Sequence, residues 1–320
     1  HPDSAAIILA DAAGRFESAR LLVGRSTARA TFQESPYPSL AIASLSSGAF
    51  EKAWPAMEKS CGRALADLLV AARRRPLTES ETAIEDGLER AVIELEPRLE
   101  ALIRAAHIDS TPESMQREEA TRLELLSAES HLSEFRQAMA LRYPIAEGQS
   151  YPLPRVQAAL GDKQAIVGWL DFEIRKGTFV SWVYVIRSRG PVAWVQLPGF
   201  AGTKSPSPFD QARACYDALD HAGNSDTIVA AFSAARVQPV LPALSGIEAL
   251  VVVPTGAMAT IPVEALVDEL GRPLLDAFSI SYAPSSTIYT WLHEESTGAS
   301  STDDRQAAVS RALLIGDPPY

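Results

Sequence analysis

Cysteine is scarce: Cys61 and Cys215 stand alone in 320 residues, with no paired spacing. That excludes a disulfide framework and a thiolate metal site, and it fits a reducing compartment. Histidine is almost as rare, with five residues. No HExxH, GxxxxGK[ST], GxSxG or glycine-rich dinucleotide turn occurs, so zinc hydrolase, P-loop and α/β-hydrolase readings find no support. Basic residues fall short of acidic ones, 29 against 40, for a net charge of −11 and a pI near 5.0. A nucleic-acid partner is therefore not expected, because phosphate binding draws its free energy from Lys and Arg displacing counterions. The one basic run, Arg73-Arg74-Arg75, reads as the complement to a helix dipole. The most apolar window, 249–267, is interrupted by Pro254, Pro262 and Glu264, and no membrane span is expected. The N-terminal stretch has no basic leader and is broken by Asp11 and Arg15, so no signal peptide is read there and a cytoplasmic location is expected.

What is present is an ordinary globular composition, 47% hydrophobic and 22% charged, over a length that favours two domains. Residues 1–146 are rich in Ala, Leu, Glu and Arg and show no alternating segment, which predicts a helical domain. Thr78-Glu79-Ser80-Glu81 has the spacing of a capping box and predicts a helix start. Leu88, Val92, Leu95, Leu99, Leu102 and Ala106 then recur at steps of four and three, as one apolar seam. Pro97 within it predicts a kink or a split. After a break at 109–112, Thr121, Leu125, Ala128, Leu132, Phe135 and Met139 repeat the rhythm, and the two seams together predict a helical hairpin. A further amphipathic helix over 49–72 leaves two options open, stacked pairs of the tetratricopeptide type or a plain bundle.

Residues 147–154, EGQSYPLP, read as the connector to a second domain, 147–320. There 165–172, 178–186 and 192–197 are rich in β-branched and aromatic residues and predict a three-stranded meander. Helices over 208–221 and 227–237 precede 248–253, a continuous apolar strand of the kind buried on both faces. Strands at 278–282 and 312–316, with a helix over 285–293, complete an α/β pattern, and 294–311 reads as a flexible polar loop. The fold class is thus an N-terminal helical domain followed by an α/β domain.

No residue earns a catalytic, cofactor-binding or metal role. Cys215 shares a helix face with Ala212 and Leu219, and His221 six residues on is rotated away from it. Cys61 is placed on a burying helix face with Met57, Ala64, Leu65 and Leu68, so both thiols read as core. His107 and His131 fall on or beside the hairpin, and His293 is placed at the end of a helix. Ser285 or Ser286 reads as an N-cap rather than a nucleophile.

The stretch LVVVPTGAMATIPVEALVDELGRPLLDAFSISYAPSSTIYTWL, followed by RALLIGDPPY, resembles the CHAT domain, a caspase-like peptidase domain often found after tetratricopeptide repeats. Three ordered segments carry the resemblance: Val251 to Leu266 with its Pro-x-Gly, Pro273 to Ser286 with its Tyr-x-Pro-Ser, and Ala312 to Pro318. YPLPRVQAALGDKQAIVGWL is similar to the opening of the same domain, which extends the resemblance from Tyr151 to Tyr320. In that family a His in an HG turn and a Cys in an SAC turn follow the last of these segments, and neither turn occurs here. The resemblance implies the regulatory and scaffolding portion of a cysteine endopeptidase, inactive by itself, with no cofactor. Its partners would be a C-terminal catalytic portion and a protein substrate or regulator. The alternative is a protein-interaction module without peptidase activity.

Overall fold

The computed structural model describes residues 2–22, 35–61, 78–108, 111–142, 150–198, 200–201, 206–220 and 226–298. The predicted Arg73–Arg75 helix end, His221 and the 312–316 strand lie outside them.

Helices α1 (Pro2–Leu22), α2 (Tyr37–Ser46) and α3 (Phe50–Ser60) open the chain. The helix expected over 49–72 ends at Ser60, because Cys61 turns to extended geometry at φ −87° and ψ 139°. Helices α4 (Glu79–Ile108) and α5 (Pro112–Arg142) form the expected hairpin. The capping box is made in both directions: Thr78 N donates to Glu81 Oε2 at 2.9 Å, and Glu81 N donates to Thr78 Oγ1 at 3.3 Å. Pro97 does not split α4, which runs on as one helix. Its missing N–H removes one bond from a ladder that packing along the seam sustains. Arg136 is buried between the two helices and pairs with Glu85 and Glu89.

Strands β1 (Gln164–Arg175), β2 (Thr178–Arg187), β3 (Ala193–Gln196), β5 (Ala249–Val253) and β6 (Ser279–Tyr282) make a mixed sheet in the order β3-β2-β1-β5-β6, and the short β4 (Phe200–Ala201) pairs with β2. The meander is antiparallel, and Lys176-Gly177, a turn pair with Gly177 at φ 72°, joins β1 to β2. Strands β1, β5 and β6 run parallel, with Val167 opposite Val252 and Val251 opposite Ser281. Parallel pairing needs a crossover, and helices α7 (Pro208–Asp220) and α8 (Asp226–Arg236) lie between the meander and β5.

Alternation along the strands feeds two apolar clusters. Trp169, Val183 and Val252 point to one face, where Cys215 of α7 and Phe232 of α8 cover them. Ile166, Leu170, Tyr184, Val251 and Val253 point to the other, with Ile42, Trp54 and Met57 from α2 and α3, and Val156 from α6 (Leu153–Ala158). That second cluster joins residues from both sides of the expected 146/147 division. Burial on both faces explains why β5 is apolar at every position. Helix α9 (Ser286–Gly298) follows β6 and lies beside α6, held by a bidentate pair of Arg155 with Glu294 at 2.8 Å for each bond. It continues to Gly298, five residues into the segment expected to be a loop, and residues 299–311 lie outside those described.

Gly168 in β1 is required by close approach. A Cβ there would stand 2.4 Å from Tyr184 Oη and 2.5 Å from its Cζ. Tyr184 is fully buried and Gly168 is buried too, so the ring cannot swing into solvent. Gly168→Ala is expected to lower unfolding free energy by about 1–3 kcal/mol, the usual cost of overpacking a core, with the denaturation midpoint as the readout.

Candidate functional site

The carboxyl ends of parallel strands are where open α/β sheets place their ligands. Here that edge carries the Pro254-Thr255-Gly256-Ala257 turn after β5 and the Ala283-Pro284-Ser285 segment after β6. A cavity of about 560 Å³ lies between them, lined by Ser60, Cys61, Pro254, Thr255, Tyr282 and Ala283 among others.

A buried ion pair builds the Pro-x-Gly turn. Asp171 of β1 receives two bonds from Arg236, the last residue of α8: Nη1 to Oδ1 at 2.8 Å and Nη2 to Oδ2 at 2.7 Å. Neither side chain reaches solvent. Ser181 Oγ donates to Asp171 Oδ1, and the Ala257 amide donates to Oδ2 at 2.9 Å. The carboxylate therefore accepts four hydrogen bonds, the full capacity of its lone pairs. Gly256 stands at φ 57°, and a Cβ on it would lie 2.5 Å from Asp171 Oδ2. Both the backbone angle and the carboxylate thus demand glycine. Thr255 Oγ1 donates to the Trp169 carbonyl, and Trp169 Nε1 donates to the Arg236 carbonyl at 3.0 Å, which closes the network. Beyond the turn the chain forms a 3-10 turn, Val263–Ala265, although Pro262 before it has the fixed φ that favours a helix start. Leu266 leaves it in extended geometry and is buried in the core, so packing overrides the helical start.

A second buried carboxylate stands on the opposite face. Glu58, in the last turn of α3, accepts from Ser286 N at 3.3 Å and Thr287 N at 2.6 Å, the first amides of α9. Ser285 Oγ accepts from Ile288 N at 3.1 Å, so Ser285 is the N-cap and Glu58 satisfies the amides that a single cap leaves over. Sequence spacing could not reveal Glu58, because it reaches its partners across 228 positions. Asp171 could be suspected as an acidic residue in an apolar strand, but Arg236, at an ordinary helix end, gave no signal.

Both thiols are buried. Cys61 belongs to the apolar cluster as expected, though as the cap of α3 rather than inside a helix, and it also lines the cavity. Burial, reinforced by the nearby Glu58, pushes its thiol far above the ordinary range. Burial likewise pushes Cys215 up to about 11. A thiolate is the attacking form, and neither environment supplies the positive charge that would stabilise one. Among the described residues neither thiol is hydrogen-bonded to an imidazole. His131 lines a groove on the helical hairpin, exposed His107 lies in the last turn of α4, and His293 sits within α9 stacked on Tyr289, not at its end. Among the described residues no group of three His, Cys, Asp or Glu could hold a metal ion, and no single helix is long and apolar enough to cross a membrane.

No curated protein and no solved structure matches the chain. The family match begins at Val229 in α8 and takes in Arg236, β5, the Pro-x-Gly turn, β6 and α9, while the β1–β3 meander precedes it. Residues 229–320 match the family model of the CHAT domain.

Proposed function

We propose that residues 1–320 act as the scaffolding and regulatory portion of a CHAT-family, caspase-like cysteine endopeptidase, with the catalytic His and Cys supplied by a further portion of the protein. The observation that carries this reading is the state of the two thiols: both are buried and held neutral in the helical layers that cover a sheet whose carboxyl-edge turn is committed to the Asp171–Arg236 network. The cavity beside Cys61 is then a docking position for the catalytic portion rather than a reaction centre. Incubation of this chain with a fluorogenic peptide library should give no turnover above buffer. Cleavage that is lost in Cys61→Ala or Cys215→Ala would refute the reading.

A second reading, a protein-interaction module, is favoured by the helical hairpin, whose outer surface exposes Ile84, Met115, Leu123 and Leu126. The hairpin itself is better described as a long bundle pair than as a tetratricopeptide unit. Helices of 30 and 31 residues each approach the roughly 34 residues of a whole two-helix repeat.

A further inference from the structure

Resting on the interaction reading of the helical part, we propose that the groove between α4 and α5 binds a basic amphipathic helix of a partner protein. The groove encloses about 480 Å³ and is lined by Leu88, Ala91, Ala120, Leu123, Glu124 and Ala128 among others. Small residues on its floor let a third helix approach to the 8–10 Å of ordinary helix packing. Leu123 is 58% exposed and Ile84, one turn before Leu88, is 52% exposed, so apolar walls stand open to water along both helices. A helix laid along such a groove is read through anchors at i, i+3, i+4 and i+7.

Charge selects the occupant. Helices α4 and α5 carry fourteen acidic and seven basic residues, a net −7. Arg98, Arg104, Arg122 and Arg136 are already paired with glutamates of the hairpin. Glu124 lies in the groove, where it pairs with Arg98 at 3.8 Å, and exposed Glu94 and Glu134 follow the lining residues Ala91 and His131 by one turn, which leaves carboxylates in excess beside the apolar strip. A second copy of this chain would bring an equal negative field against the first, an anionic lipid surface would be repelled, and an acidic peptide would meet like charge. A helix with leucines on one face and lysines beside them satisfies both the strip and its rim.

The test uses the full chain and three fluorescein-labelled 18-residue peptides: a Leu/Lys amphipathic helix, its Leu/Glu counterpart and a scrambled Leu/Lys sequence. Anisotropy should show the Leu/Lys helix bound, weakened by added salt, and at least about tenfold tighter than either control. Leu123→Ser should weaken it by about tenfold, as loss of an apolar anchor does, whereas Leu270→Ser, at an exposed site in the α/β part, should leave it unchanged. Circular dichroism would verify that both variants fold. Equal binding of the scrambled or the acidic peptide overturns the proposal, as does an affinity indifferent to Leu123→Ser. Self-association by sedimentation that Leu123→Ser abolishes would assign the groove to a second copy and overturn it as well. None of these outcomes bears on peptide turnover, which tests the scaffold reading separately.

Discussion

Asp171→Ala is expected to lower unfolding free energy by about 3–5 kcal/mol, the cost of leaving a buried charge without its counter-charge. Arg236 would keep its guanidinium in a site with no access to water. Its Nε already has no hydrogen-bond partner among the described residues, so no local acceptor stands ready to replace the carboxylate. The Ser181 hydroxyl and the Ala257 amide lose their acceptor in the same step, and the Pro-x-Gly turn loses the contact that fixes it. The double variant Asp171→Leu with Arg236→Met removes both charges and should recover a large part of the loss, because replacing a buried pair with apolar groups is often nearly neutral. Urea denaturation of the wild type, the single variant and the double variant decides the matter. A double variant no more stable than Asp171→Ala would show that the amide and hydroxyl bonds, not the ion pair, hold the turn.

Glu58→Ala is expected to cost about 1–3 kcal/mol, since it strands buried amides at the start of α9. The pH dependence of the same residue carries more information. A carboxylate at a helix N-terminus is favoured by the dipole, and the bonds from Thr287 and Ser286 lower its affinity for a proton. Burial outweighs them and raises the Glu58 carboxyl above its ordinary value. The neighbouring ionisable groups, Cys61 and Tyr184, are pushed up by their own burial and remain neutral while Glu58 titrates. A group whose folded value is raised contributes stability that is complete below its unfolded value and is lost as pH rises through the folded one. Relative to Glu58→Gln, which mimics the protonated acid at every pH, the wild type should therefore lose stability steadily from about pH 4.5 upward until the raised value is passed. Thermal melts of the two proteins across this range give the difference directly. A difference that stays flat, or that grows in favour of the wild type, would mean that the dipole wins over desolvation.

Much of the fold is legible in the sequence, for reasons that are local. The Thr78–Glu81 box, the two apolar seams and the turn glycine at 177 each act within a few residues, and the structure places a helix start, a hairpin and a strand turn there. The uninterrupted apolar run of β5 reports two-sided burial without saying what covers it. Part of that cover comes from α2 and α3, more than a hundred residues earlier, a pairing set by shape and not by pattern. Sequence reading fails where tertiary contact competes with local preference: Cys61 ends α3, Pro262 opens only a single 3-10 turn, and α9 outruns its polar tail. The Pro-x-Gly motif is visible as a motif, but its cause is a carboxylate 85 positions before Gly256 that no spacing rule connects to it.

The distance along the chain between Glu58 and α9 also sets an order of events. Domains are made from the amino terminus, so α3 exists as emerged polypeptide long before residue 286 is synthesised. Closing so large a loop is entropically costly, and contacts of such high sequence separation slow folding. Completion of the first turn of α9 is therefore among the last steps of assembly. Until it happens, the face formed by Ile166, Leu170 and Val251 lacks its full cover, and a nascent chain is open to chaperones or to misassociation during that interval.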